Sequence, residues 1–207
     1  MRRMDLPIPD DTLRRPRAPR AGRWVPIRTL GDRHRPRVER HLLELDMADR
    51  VRRFGHAASD DLIRRYAAQL DFERDQIFGV FDSRLRITAL GHLAFDRQQG
   101  SAEFGISVSA AARHQGLGSE LFGHAVVHAR NRGVGCLHIH LARDNQPMLA
   151  IVRRAGAQIE FQGADGLARL RLPADTLGSQ MQELLGHHAA EFDYRVKHHV
   201  LQLHQPR

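Results

Sequence analysis

The hydrophobic pattern changes period in the middle of the chain, and that change restricts the fold more than any other feature. Three short runs, QIFGVFD, LRITALGHLAFD and SAEFGISVS, are rich in β-branched and aromatic residues and are separated only by SR and RQQG. Runs of this length joined by connections this tight predict an antiparallel meander of three strands.

Helical spacing lies on both sides of it. Ahead of the meander, RPRVERHLLELDMADRVRRF carries Val38, Leu42, Leu43, Leu45 and Met47 at near-helical intervals. SDDLIRRYAAQLDF then offers Ser59 as an N-cap, Asp60 and Asp61 in the first turn, and an apolar face of Leu62, Ile63, Tyr66 and Leu70. Two helices are expected there. They follow a first strand in RWVPIRTL that Pro26 confines to a sheet edge or a strand start. Behind the meander, SELFGHAVVHARNRG places Leu121, Phe122, Ala125, Val126 and Ala129 on one helical face and stops at Gly133. GCLHIHLA reads as a strand, NQPMLAIVRRAG as a helix opened by Asn145 with Pro147 in its first turn, and AQIEFQG and LARLRL as two closing strands. The sum is an α/β (α+β) chain of about seven strands and four or five helices, in mixed order.

A length of 207 residues supports one sizeable core. Residues 1–22 combine proline, arginine and aspartate without apolar periodicity and are expected to form a disordered basic arm; the folded domain is expected over 23–173. Residues 174–207 are histidine-rich, with helical stretches broken near Gly186, and suggest a C-terminal helical extension available for contacts in a homodimer. The net charge is +8, and nearly all the basic residues are arginines, since Lys197 is the one lysine. Half of that excess lies in residues 1–23, and no aromatic-interleaved basic face accompanies it, which argues against nucleic acid as a main partner. A single cysteine, Cys136, allows no intrachain disulfide and suits a reducing compartment, so a cytoplasmic location is expected. The N-terminus lacks the apolar segment of a secretory signal, and no stretch has the length of a membrane span.

Between meander and helix lies RHQGLGS, Arg113 to Ser119. A strand handing over to a helix leaves unpaired backbone N–H groups and a positive helix end facing outward. Two glycines let that backbone approach a ligand, Arg113 adds a charged contact, and no acid in the loop opposes an anion. Two familiar phosphate loops are excluded: a Walker loop needs a lysine that is absent here, and a dinucleotide fingerprint needs glycine where Leu121 stands.

The pattern that fits is RxxGxG, from Arg113 to Gly118, and with it the chain resembles the GNAT superfamily of acyl-CoA-dependent N-acyltransferases from about Trp24 to Leu172. The stretches RVRRFGHAASDDLIRRYAAQLDFERDQIFGVFD and SAEFGISVSAAARHQGLGSELFGHAVVHARNRG are similar, more narrowly, to the acetyltransferase domain of bacterial Pat-type protein lysine acetyltransferases. The resemblance implies a mostly antiparallel sheet splayed at its fourth and fifth strands, with acetyl-CoA as acyl donor. It implies that Arg113, Gln115, Gly116, Leu117, Gly118 and Ser119 hold the pyrophosphate, and that backbone N–H groups around Ile106 and Val108 meet the pantetheine. Asn145 either contacts the pantetheine or caps its own helix. The implied acceptor is a primary amine, on a protein lysine or a small molecule.

Acyl transfer requires a neutral amine, and a lysine amine of pKa about 10.4 is mostly protonated near neutrality, so a base is useful. Glu103 is the candidate: it precedes the glycine loop on the strand expected along the pantetheine, and the Pat-type resemblance places the family's glutamate there. Partial burial among Phe104, Ile106 and Val108 is expected to raise its pKa; the opposing reading is a solvated strand residue. The tyrosine that many GNAT enzymes carry as general acid corresponds to Val152, which donates no proton. A thiol leaves tolerably as thiolate without an acid, and the alternative is a catalytically poor CoA-binding module. His138 and His140 share one face of a strand, but with no third ligand they read as polar strand residues and no metal is expected. Arg52, Arg53 and Phe54 fit either the acceptor side or a helix end with a core phenylalanine.

Overall fold

A computed structural model describes residues 25–96 and 98–172; the arm expected over 1–22 and the helical extension expected over 174–207 lie outside them. The described chain runs β1 (Ile27–Thr29), α1 (Arg35–Leu43), α2 (Met47–Phe54), α3 (Asp60–Gln69), β2 (Gln76–Phe81), β3 (Ile87–Asp96) and β4 (Ser101–Val108). It continues through α4 (Leu117–Asn131), β5 (Cys136–Ala142), α5 (Gln146–Arg154), β6 (Gln158–Gln162) and β7 (Asp165–Arg171). The strands form one sheet in the order β1-β2-β3-β4-β5-β7-β6, with β4 and β5 its single parallel pair. The meander is therefore present as expected, and β1 begins directly after Pro26 at the sheet edge.

The stretch expected to form one helix over residues 35–54 forms two. Asp46 breaks it: its side chain accepts from the Asp49 N–H at 2.8 Å and starts α2, which Gly55 closes in a left-handed conformation with φ 77°. The break is stabilised by Arg50, whose guanidinium donates to the carbonyls of Leu45 (3.0 Å), Leu43 (2.8 Å) and Ala58 (3.0 Å) and to Asp60 (2.7 Å). Met47, which the helical spacing put on the apolar face, is 57% exposed as a result.

Helices cover both faces of the sheet. On one face, α1 and α3 bury Val38, Leu42 and Ile63 against Ile77 and Leu90. On the other, α4 and α5 bury Leu121, Phe122, Leu149 and Val152 against Phe78, Leu93, Phe104 and Leu137. Strand alternation decides which face each β4 side chain joins: Phe104 turns to α4, where it meets the Phe122 ring edge-on at 5.9 Å, while Gly105 and Ser107 turn to α1 and α2.

Parallel pairing of β4 with β5 covers three positions, Ser101 with Cys136, Ala102 with Leu137 and Glu103 with His138. Beyond Glu103 the two strands part. No ladder joins Phe104–Val108 to Ile139–Ala142, and a wedge-shaped cleft opens toward the loop that precedes α4.

Candidate active site

The cleft has a volume of about 500 Å³. Its walls come from the parted strands, with Ile106, Ser107 and Val108 on β4 and Ile139 and His140 on β5; Asn145, Met148 and Ile151 close one end and Asp49, Arg52 and Arg53 reach in from α2. A strand points alternate N–H and C=O groups to each side, so the edge of β4 that β5 abandons keeps backbone groups for a ligand lying along it.

The glycine loop forms the mouth. Gly116 is the N-cap of α4 and takes φ 81°, a left-handed conformation that suits glycine, and no side chain caps the helix. His114 is also left-handed at φ 61°, so the backbone turns sharply before its free N–H groups emerge. Gly118 is not required by packing or backbone conformation: a Cβ there would stand at ordinary contact distances, 3.4 Å from Ile151 and 3.9 Å from Ile106. Gly116, Leu117, Gly118 and Ser119 all border the cleft. These features fit an anionic, chain-like ligand whose phosphates sit at the start of α4 and whose arm lies along β4.

Two of the expected loop contacts differ in placement. Arg113 borders the cleft but is paired with Asp49 of α2, which also accepts from Arg52 at 3.1 Å. The loop itself holds no acid, and the chain supplies one from another element. Gln115 borders a separate cavity of about 540 Å³, with Ala111 and Thr88, and not the cleft. Asn145 does cap α5, accepting from the Met148 N–H at 3.3 Å, and also borders the cleft.

Glu103 is not buried among Phe104, Ile106 and Val108. Alternation turns it to the opposite face, where it is exposed at the point at which β4 and β5 part. The expected burial is therefore corrected: on a strand, residues adjacent in sequence face opposite sides of the sheet. Val152 is fully buried in the core and does not border the cleft. His138 is paired in the sheet and approaches Cys136 Sγ at 3.5 Å, while His140 is exposed and borders the cleft. Among the described residues no group of three or more His, Cys, Asp or Glu side chains is placed to hold a metal ion.

Sequence reasoning missed a hydrogen-bonded chain beneath the α2 side of the cleft. Arg53 Nη2 donates to Tyr66 Oη (2.5 Å), Tyr66 Oη meets His92 Nδ1 (2.7 Å), His92 Nε2 meets Asp75 Oδ2 (3.0 Å), and Arg74 caps Asp75 through both oxygens (2.9 and 3.0 Å). Burial by itself raises the Asp75 carboxyl, but the hydrogen bonds from His92 and Arg74, together with their charge, hold it well below the usual carboxylate range. An ionised Asp75 accepts from His92 Nε2, and the ring's other nitrogen, Nδ1, meets the Tyr66 hydroxyl, so the imidazole links the carboxylate to the tyrosine. Nothing in the linear spacing of residues 53, 66, 75 and 92 signals it; the chain exists because α2, α3 and β3 pack together.

The acetyltransferase (GNAT) family model matches residues 40–157, more than half of the chain. The chain belongs to the GNAT family. Members of this family are acyl-CoA-dependent N-acetyltransferases and generally use acetyl-CoA. Among solved structures, the GNAT fold is shared with the GNAT domain of S. lividans PAT, at TM-score 0.60 and 17% identity over 70% of this chain and 89% of that one. It is shared with the ribosomal-protein-S18-alanine N-acetyltransferase of Escherichia coli, at TM-score 0.56 and 17% identity over 73% and 96%. A spermidine N-acetyltransferase SpeG chimera from Vibrio cholerae and hSSAT matches at TM-score 0.52 and 18% identity over 70% and 96%. In GNAT terms, the splay between β4 and β5 and the loop before α4 stand where the resemblance placed them. No helix among the described residues is long and apolar enough to cross a membrane.

Proposed function

We propose that this GNAT chain binds acetyl-CoA in the β4–β5 splay and moves its acetyl group to a primary amine, on a protein lysine or a small molecule, in the cytoplasm. The observation that carries the reading is the continuity of the splay with the uncapped, left-handed start of α4: one open strand edge leads to one anion cradle. The donor supplies a thioester carbonyl open to attack by an amine.

The chain's own residues provide the rest. Backbone N–H groups of Leu117, Gly118 and Ser119 receive phosphate oxygens at the positive end of α4. Arg113 joins them by exchanging part of its contact with Asp49 for phosphate, and Asn145 holds the start of α5 at the other wall. The edge of β4 around Ile106 and Val108 orients the arm. Glu103, at the point of divergence, takes the ammonium proton of the acceptor, and its exposure leaves it open to water that carries the proton away.

Calorimetric titration with acetyl-CoA tests this reading. Micromolar binding is expected for the wild type and loss of it for Gly116→Glu, which puts a side chain on a left-handed residue and a negative charge in the cradle. No binding by the wild type overturns the reading. A second reading, a CoA-binding module with poor turnover, is favoured by the apolar, buried Val152 at the usual tyrosine position. Binding of CoA without transfer to any amine of a broad panel selects it.

A further inference from the structure

Arg53 lines the cleft, and the reading above does not use it. Its guanidinium lies flat against the backbone of β4: a Cβ on Gly105 would stand 2.8 Å from Arg53 Cζ and Nη1. Gly105 is two residues past the last paired position of the β4–β5 ladder, so the charge sits at the opening of the splay on the α1–α3 face. The group is partly buried, stacked over the rings of Phe54 (5.0 Å) and Tyr66 (5.2 Å), and its Nε is buried without a hydrogen-bond partner.

What it lacks among the described residues is a counter-ion. Its hydrogen bond goes to the neutral Tyr66 hydroxyl. Asp49 is engaged by Arg52 and Arg113, and Asp75 by Arg74 and His92. Withdrawing a cation from water is costly unless an anion meets it, and here a partly buried Asp75–His92–Tyr66 chain holds the cation in place without neutralising it. Glu103 lies on the same face of β4, two residues away, and forms no ion pair with Arg53. Positions two apart on a strand are separated by about 7 Å, so the opening presents a fixed positive group and a negative group a short distance apart.

Resting on the acyl-transfer reading, we propose that the acceptor is a small amine that carries a carboxylate, an amino acid, bound with its carboxylate on Arg53 and its ammonium toward Glu103. A bare diamine meets the guanidinium as like charge. A lysine within a protein has its carboxylate tied up in the peptide bond and leaves Arg53 unpaired. Arg53 also opposes the protonated form of an amine held close to it, which assists loss of the proton at Glu103. Tyr66 is a positioning residue in this scheme, since it touches Arg53 and not the acceptor.

The test uses amino acids paired with their own amides, together with a lysine-containing peptide, as acceptors for the full chain with acetyl-CoA. The expected result is a preference for the free carboxylate of at least about tenfold in kcat/KM, the worth of one charged hydrogen bond. Arg53→Gln is expected to bring that preference close to unity and Arg53→Lys to keep part of it, with the dissociation constant for acetyl-CoA unchanged in both. Tyr66→Phe is the second variant, for the case in which Arg53→Gln does not fold; it is expected to raise KM for amino acids and leave KM for amides alone. Equal use of amides or peptide, failure to acetylate any amino acid, or weakened acetyl-CoA binding in Arg53→Gln each overturns the proposal. Failure of the wild type to bind acetyl-CoA is read separately, by calorimetry before an acceptor is added, and overturns the acyl-transfer reading itself.

Discussion

Glu103 occupies the last paired position of the β4–β5 ladder and is exposed there, beside the cleft and not among the residues that line it. If it takes the amine proton, Glu103→Gln lowers kcat by about a hundredfold or more while leaving acetyl-CoA affinity unchanged. The variant should recover activity as rising pH deprotonates the amine without help. Full activity of the variant across the pH range removes Glu103 from the mechanism. The residue also shows how sequence adjacency misleads: Phe104, Ile106 and Val108 surround it in the linear chain, yet the two-residue period of a strand turns them to α4 and turns Glu103 away. Asp49 makes the complementary point. It is the acid that meets Arg113, and it reaches the loop from α2, 64 positions earlier in the chain.

Elements with strong local signals were legible. Ser59 caps α3 as expected, accepting from the Leu62 N–H at 3.3 Å, and Asn145 caps α5. Gly133 follows α4 in a left-handed conformation. The break between α1 and α2 was not legible, because Leu42, Leu43 and Leu45 keep near-helical spacing through it and the deciding contacts run through Arg50 to carbonyls on three segments. Arg50→Met is accordingly expected to cost about 2–4 kcal/mol, since it removes the donor to three carbonyls and a charged contact to Asp60. Urea unfolding measures this; a cost within the scatter of ordinary surface substitutions means that the break is held by Asp46 alone. The cleft was legible in outline, through the glycine loop and the order of elements. Its α2 wall was not, since the Arg53–Tyr66–His92–Asp75 chain is assembled by packing between elements.

At the scale of the whole molecule, the core facing α1 and α3 contains two histidines that the sequence does not distinguish from the surface ones. His34 and His41 are 1% and 2% exposed, and burial, the largest cause in each case, lowers both from 6.5 to about 4. His41 Nδ1 donates to the Ile87 carbonyl at 3.0 Å and Nε2 accepts from Ser107 Oγ at 2.9 Å, an arrangement suited to the neutral ring. Their folded pKa values lie below the unfolded ones, so the stability they permit is fully present above about pH 6.5 and is lost as pH falls toward 4, where the unfolded chain binds protons that the folded chain refuses. Each contributes a slope of about 1.4 kcal/mol per pH unit in that window. Urea midpoints at about pH 7 and about pH 5 should therefore differ, and His41→Gln should flatten the dependence; equal midpoints exclude it. The sheet around this core has a mechanical consequence. Strands β1–β4 and β5–β7 are two plates fastened along one short seam of three residue pairs at Ser101–Glu103. They open like a clothes-peg hinged at that seam, so the place where the ladder stops after Glu103 and His138 sets where the gape between the two plates begins.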